Sequence, residues 1–337
     1  MKLTMQTSSK TYNIVIGKHI LNTLHNYIDT TRKIFILSDT NIPNIFIDEI
    51  IAQCPHHFIF KVTPGETSKS IKTYESVLQA CLSFQMARDD LLIAIGGGVI
   101  GDLGGFVAAS YLRGIDYVFI PTSTQAQVDS SIGGKVAINL DNTKNMVGSF
   151  YQPSFVFIDI ITLSTLPQRH LMSGLVEALK AGLIKDPILY AYFKENTYMQ
   201  HLEDVIYRSL LVKKTIVEQD EKEQHLRKIL NFGHTIGHAI ESYYNLKDYF
   251  HGECVAMGMP YFIPDETLKK EVIHILKAMK TYDTPNFNNQ DLFAYILLDK
   301  KRKQDHIDVI EVEKVGHAKI IEKKLCSILK LLEEQQA

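Results

Sequence analysis

His234 and His238 stand four residues apart, a spacing that puts two imidazoles on one face of a helix. Counting outward, Arg227, Asn231, His234 and His238 recur at intervals of four, three and four, which normally build the apolar stripe of a packed helix. A guanidinium, an amide and two imidazoles in those places predict a helix lining a wet cleft. Ile229, Leu230, Ile236 and Ile240 still supply a separate apolar face. Any one of these histidines alone would read as a solvated or core residue; the set does not. Two His at i and i+4 can hold a divalent cation, but Thr235 stands where a His-Glu-x-x-His protease has its glutamate. That argues against a metalloprotease and leaves a His/carboxylate metal site open. Further ligand candidates are His251, thirteen residues after His238, and Glu177 in an apolar helical stretch. Two His and one carboxylate would leave a position open for substrate. Spacing alone equally lets Glu177 pair with Lys180 at i, i+3 on a helix surface.

A second group of residues suits phosphates. Gly96-Gly-Gly-Val-Ile-Gly101 follows the apolar run Leu91–Ile95 and opens a helical pattern, so it fits Gly-x-Gly-x-x-Gly in a strand–turn–helix context. Backbone N–H groups there approach a pyrophosphate closely, and the helix start favours negative charge. The plain alternative is a tight turn that packs helix against strand. The acidic residue expected at the end of a second strand has no clear place, which argues against an ordinary Rossmann dinucleotide site. Asp102 suits a hydroxyl or amide better than a phosphate. The segment 121–148 carries Lys135, Lys144 and several glycines and reads as a long polar loop able to bind phosphate. It lacks Walker A spacing. Gly65-Glu66-Thr67-Ser68-Lys69 is a further polar loop after a strand.

These groups need a scaffold. Lys33–Leu37, Phe58–Val62, Leu91–Ile95, Tyr117–Ile120 and Phe155–Ile158 read as strands, with helices over Ser70–Phe84 and Ile100–Tyr111. That alternation predicts an α/β domain with a mostly parallel sheet. Beyond residue 160 the patterns turn helical: Gln168–Ile184, Pro187–Asn196, Leu202–Gln219, Asn231–Tyr243, Cys254–Phe262 and Glu266–Lys280. The expected domains are 1–161, α/β with a Rossmann-like nucleotide site, and 162–337, all-α. With 337 residues, 45% hydrophobic, the chain can bury two cores. A net charge of −2 gives no reason to expect a nucleic-acid or membrane partner. Four scattered cysteines, no secretory pattern and no long apolar run lead to the expectation of a cytoplasmic protein.

Taken together, the motifs resemble the 3-dehydroquinate synthase family. The matching segments are Gly96 to Phe106, Tyr111-Leu-Arg-Gly-Ile, Pro121-Thr, Ala126 to Lys135, Lys144-Asn-Met-Val-Gly, Gln152-Pro, Leu163-Ser-Thr-Leu-Pro, Gly174 to Gly182, Asp220-Glu-Lys-Glu, Arg227, Leu230 to Glu241, His251-Gly-Glu and Asp299-Lys-Lys. The resemblance implies an NAD-dependent, divalent-metal (Zn²⁺ or Co²⁺) cyclase of a sugar phosphate, a carbon–oxygen lyase. It would convert 3-deoxy-D-arabino-heptulosonate 7-phosphate to 3-dehydroquinate and phosphate in the shikimate route, by transient oxidation, phosphate elimination, re-reduction and aldol closure. It implies Glu177, His234 and His251 as metal ligands, which moves His238 from the metal to a catalytic or substrate-positioning role. Lys135, Lys144, Asn145, Asn231 and Lys300 or its neighbour Lys301 resemble grips for phosphate and hydroxyls. Lys213 and Arg227 resemble carboxylate grips, and Arg113 a residue reaching a partner subunit's site in a homodimer. Asp129 and Glu223 match catalytic polar positions. Asp39, Asn41, Glu66, Lys69, Gly97, Gly98, Asp102, Thr122, Ser123, Lys144 and Thr165 resemble the NAD-binding set.

Ala137, the run Ser123-Thr124-Gln125 and the proline-rich Pro260–Pro264 depart from the family pattern without removing a proposed ligand. Other sugar-phosphate cyclases, of the 2-deoxy-scyllo-inosose or sedoheptulose 7-phosphate type, are the nearest rivals. Their substrates lack a carboxylate, so Lys213 with Arg227 argues against them. A metal-dependent glycerol or alcohol dehydrogenase would release NADH. A catalytically dead scaffold would have lost part of the Glu/His/His and Lys/Arg set.

Overall fold

Apolar runs without alternation mark strands covered on both faces, and the chain uses them as the middle of a sheet. In the computed structural model, which describes residues 1–141, 143–244, 248–297, 302–303 and 305–336, the chain opens with an antiparallel hairpin of β1 (Lys2–Gln6) and β2 (Thr11–Gly17). There follow β3 (Ile34–Asp39), α1 (Asn44–Ile51), β4 (His57–Val62), α2 (Ile71–Ser83), β5 (Leu91–Gly96), α3 (Gly98–Ser110) and β6 (Asp116–Pro121). A separate two-stranded ribbon, β7 (Lys135–Leu140) with β8 (Thr143–Phe150), precedes β9 (Phe155–Asp159). The main sheet has seven strands in the order β1-β2-β9-β6-β5-β3-β4, parallel throughout except for the first hairpin.

Its two faces are buried under different helices. Phe35, Leu37, Leu92, Ala94 and Phe119 pack with Leu103 and Val107 of α3. Ile34, Ile36, Ile93, Ile95, Val118 and Ile120 pack on the other side with Phe46 and Ile50 of α1. α3 lies close to the sheet because it is glycine-rich: a Cβ on Gly101 would stand 2.5 Å from the Phe119 ring, and one on Gly104 2.8 Å from Ala94. β3 and β5 are neighbours, with Leu37 opposite Ala94. From β3 the chain turns outward to β4, and from β5 it turns the opposite way to β6. A crevice therefore opens at the carboxyl ends of β3 and β5, the position where open α/β sheets bind ligands.

The rest is mainly helical: α4 (Gln168–Ile184), α5 (Pro187–Lys194), α6 (Leu202–Gln219), α7 (His234–Tyr243), α8 (His251–Gly258), α9 (Glu266–Ala278) and α10 (Asn289–Leu297). Asp186 caps α5, with Pro187 at its first turn, and Asp265 caps α9. To the expected helices the structure adds a three-stranded antiparallel sheet, β10 (Arg302–Lys303), β11 (His306–Lys314) and β12 (His317–Lys324), ahead of α11 (Leu325–Gln336). So this part is not all-α. The alternating burial of β11 was the available signal. No described helix is long and apolar enough to cross a membrane.

The chain forms two compact units. One comprises Met1–Leu166 with Lys213–Lys222; the other comprises Pro167–Val212 with Glu223–Ala337. The end of α6 thus belongs with the sheet. Gln6 N–H donates to Glu218 at 2.6 Å, and the Ser8 backbone and Ser9 hydroxyl donate to Glu221 at 3.0 and 2.6 Å.

Candidate active site

Within the second unit, three helices converge on one carboxylate. Gly252 of α8 packs onto the Ser173 carbonyl of α4, and a Cβ on Gly237 of α7 would stand 2.9 Å from the Cys254 carbonyl of α8. These close approaches bring Glu177 of α4, His234 and His238 of α7 and His251 of α8 together. His234 Nε2 lies 3.7 Å and His251 Nε2 3.4 Å from Glu177 Oε1. One ring nitrogen from each of His234, His238 and His251 lies within 4.8 Å of the other two. The His238 ring is 5.1 Å from His234 and 5.7 Å from His251 between centroids.

The helical stripe expected from the sequence is only partly formed. Arg227 and Asn231 lie in a separate 3₁₀ turn, Leu226–Asn231. Gly233 takes φ +77°, a left-handed conformation that ends that turn before α7 starts at His234. His234 and His238 therefore share a helix, while Arg227 and Asn231 do not belong to it. Arg227 is buried, and Asn231 donates to Glu223 at 2.9 Å.

Glu177 is 2% exposed and Lys180 3%, so the surface ion pair that spacing allowed is in fact a deeply buried one. Burial opposes charge on Glu177, but the Lys180 ammonium and the His251 ring hold its carboxyl well below the usual carboxylate range. Among the described residues, none gives either buried oxygen of Glu177 a well-aligned hydrogen bond, although Lys180 and His251 stand close. Burial likewise pushes the His251 ring down, yet Glu177 and Glu241 more than compensate and hold it up at about 10. His234 Nδ1 faces the Phe232 carbonyl at 3.0 Å, and His251 Nδ1 faces Glu241 at 3.0 Å. Both Nε2 atoms are left to face Glu177. A buried carboxylate with poorly satisfied oxygens among three clustered imidazoles is a donor set that could hold a divalent cation, with Glu177, His234, His238 and His251 all within reach.

The first unit carries the phosphate-type residues. Gly97 caps α3 without a side-chain hydrogen bond, leaving first-turn N–H groups for an anion. The Ser123 and Ser130 hydroxyls lie 3.3 Å from where Cβ atoms would stand on Gly97 and Gly98. The buried Ser130 hydroxyl has no hydrogen-bond partner among the described residues. It lines a recess with Gly98, Asp102, Ser131 and Lys135. Thr122 is buried and donates its N–H to the Gly96 carbonyl at 2.9 Å.

Buried Lys69 donates to Asp102 at 2.7 Å and to Asn145 at 2.5 Å, and Glu66 accepts from Asn139 at 2.9 Å. Asn145, at φ +54°, donates its N–H to Asn139 Oδ1 at 2.9 Å. Burial raises the Asp102 carboxyl against the pull of Lys69. Asp39 ends β3, half-buried and raised by burial, and accepts from the Asn41 N–H at 2.8 Å. Spacing alone gave this acidic strand end no clear place, and only the family resemblance named it, because it precedes the glycine turn in the chain but its strand neighbours that turn's strand in the sheet. Asp129 pairs with buried Lys213 at 2.8 Å. Lys135 and Arg113 are exposed, Lys144 is half-buried, and Thr165 donates to the Thr162 carbonyl. The segment 121–148 is not a loop throughout, since β7 and β8 occupy much of it. Lys300 and Lys301 lie outside the described residues.

A mostly parallel sheet followed by a helical unit is the architecture of solved sugar-phosphate cyclases, and the same fold occurs in glycerol and alcohol dehydrogenases. A solved 2-deoxy-scyllo-inosose synthase complexed with carbaglucose-6-phosphate, NAD⁺ and Co²⁺ superposes with a TM-score of 0.89 at 26% identity, over 99% of this chain and 100% of that one. A 2-epi-5-epi-valiolone synthase from Streptomyces hygroscopicus with NAD⁺ and Zn²⁺ bound shares the fold with a TM-score of 0.86 at 22% identity, over 98% and 99% of the two chains. An iron-containing alcohol dehydrogenase from Thermotoga maritima reaches 0.67 at 14%, over 98% of each chain.

The particular family follows from sequence. Residues 59–173 match the 3-dehydroquinate synthase N-terminal family and 174–302 its C-terminal counterpart. The 3-dehydroquinate synthase of Clostridium kluyveri is 40% identical, with 95% of each chain covered, and that of Clostridium acetobutylicum is 41% identical, with 93% of this chain and 94% of that one covered. This chain belongs to the 3-dehydroquinate synthase family.

Proposed function

We propose that the protein is a 3-dehydroquinate synthase, a carbon–oxygen lyase converting 3-deoxy-D-arabino-heptulosonate 7-phosphate to 3-dehydroquinate and phosphate. The observation that carries this reading is the buried Glu177 among His234, His238 and His251, in a chain about 40% identical to synthases of that name along nearly its whole length. Bound NAD would supply a hydride acceptor and donor, and a divalent cation held by Glu177, His234 and His251 would acidify the hydroxyl being oxidised.

The chain's own residues do the rest. Gly97, Gly98, Thr122 and Ser123 offer backbone and hydroxyl groups to the dinucleotide, with Asp39, Asn41, Glu66, Lys69, Asp102, Lys144 and Thr165 completing that set. Lys135, Lys144 and Asn145 offer cations and an amide to the substrate phosphate, as would Lys300. Lys213 and Arg227 grip the carboxylate, Arg227 by a bidentate pair. His238 and Asn231 position hydroxyls, with Glu223 and Asp129 orienting their neighbours. Lys213 and Arg227 favour this substrate over the carboxylate-free sugar phosphates of related cyclases. The reading includes a cytoplasmic homodimer in which Arg113 reaches the partner subunit's substrate.

Incubation of the purified protein with the heptulosonate phosphate, NAD and Zn²⁺ tests the whole. Phosphate and dehydroquinate are expected to appear together in equal amounts, and turnover of glucose 6-phosphate or sedoheptulose 7-phosphate instead would overturn the assignment.

A further inference from the structure

We infer that Glu241 is the positioning residue of the metal centre, fixing the tautomer and ring angle of His251. This rests on the reading of His251 as a metal ligand. Glu241 lies on α7, seven residues after His234 and three after His238. One helix thus offers two imidazoles, and from the same face a carboxylate directed at the third imidazole on a different helix.

The contact is built. Glu241 is 8% exposed, and its Oε2 lies 3.0 Å from His251 Nδ1, while His251 Nε2 faces Glu177 Oε1 at 3.4 Å. Only a ring carrying its proton on Nδ1 can donate to Glu241 and at the same time present a lone pair at Nε2. A carboxylate at that distance therefore keeps a proton on Nδ1, so that Nε2 is the nitrogen a cation would take. His234 obtains the same tautomer from a backbone carbonyl, that of Phe232 at 3.0 Å. His251 starts α8, and the backbone cap there is spent on Glu253, which accepts from the Phe250 N–H at 2.8 Å. The side chain of Glu241 fills for His251 the part that the main chain plays for His234.

Outer partners of metal-bound histidines typically contribute about 10–100-fold to metal affinity. The test is Zn²⁺ affinity of the full-length apoprotein, measured by competition with a chromogenic chelator, for wild type, Glu241→Gln, Glu241→Ala and Ser242→Ala. Glu241→Ala is expected to bind Zn²⁺ about 10–100-fold more weakly. Glu241→Gln, which keeps an acceptor oxygen, should recover part of that loss, and Ser242→Ala on the exposed side should match wild type. Nitrogen NMR of the His251 ring in the Zn²⁺-loaded protein should show a proton on Nδ1 with Nε2 bound in wild type, and a mixture of the two binding modes in Glu241→Ala.

Wild-type affinity in a folded Glu241→Ala protein, with an unchanged ring tautomer, would overturn the inference. Should Glu241→Ala fail to fold, the Glu241→Gln affinity and ring spectrum decide on their own: values equal to wild type in both overturn it. Absence of stoichiometric Zn²⁺ in the wild type would instead sink the metal reading beneath it.

Discussion

At the scale of single residues, the metal centre and the carboxylate grip make separable claims. His251→Ala should lose stoichiometric zinc while the fold persists, because it removes one of the three proposed ligands, which stand on separate helices. Metal analysis of the purified variant checks this, and full occupancy would mean that His238 or another group is the true ligand. Arg227→Ala should cost about 2–5 kcal/mol in substrate binding, the usual loss when one member of a desolvated charged pair is removed. Arg227→Lys should lose less, since it keeps the charge and gives up only the fork. The loss should be far greater for the natural substrate than for an analogue without the carboxylate. Comparing the two affinities decides whether Arg227 reads the carboxylate or merely supports its turn. His234 and His238 were legible from their spacing because i and i+4 is a local relation. Glu177 and Lys180 were ambiguous because spacing says nothing about burial. Asp39 could be named only through the family resemblance and not from spacing, because strand adjacency does not follow chain order.

At the scale of elements, most strands and helices could be read to within a few residues where their pattern was long or uninterrupted, as in Gln168–Ile184 and Leu202–Gln219. The ribbon of β7 and β8 was not, because β8 is exposed along most of its length and carries glycine and lysine in place of an apolar face. Nor was the break before α7, which depends on a single left-handed glycine. The end of α6 supplies a test of how elements are tied. Burial works against charge on Glu221, but hydroxyls from Ser8 and Ser9 and the Gln152 amide hold its pKa down at about 2. A depressed carboxylate stabilises the fold above its ordinary pKa of about 4.3, and that contribution fades as pH falls toward the folded value. Glu221→Gln should therefore lower the melting temperature at pH 7, with the gap from wild type closing between about pH 4.3 and pH 2. Melting curves across that range check it; a constant gap would assign the effect to packing.

At the scale of the whole molecule, the same architecture serves cyclases and net dehydrogenases, so the fold leaves open what becomes of the hydride. For the proposed chemistry NAD is required yet returned. Absorbance of NADH should stay flat through many turnovers, and one NADH gained per turnover would identify a dehydrogenase. Chelation should abolish the reaction and Zn²⁺ or Co²⁺ should restore it.

The return of Lys213–Lys222 to the sheet-bearing unit also bears on how the protein is made. Synthesis proceeds from the amino end, so a ribosome that has released all of the sheet strands up to β9 has still not delivered Lys213, Glu218 or Glu221. Until then Asp129 lacks its ammonium, and the β1–β2 turn lacks the carboxylates that its N–H groups and serines meet. The nascent sheet must wait, incompletely tethered, while the first helices of the other unit are being translated. A gene split after residue 166 would leave the amino-terminal fragment in that waiting state permanently, and two separately expressed halves should recover the native fold only when the second supplies residues 213–222 in trans.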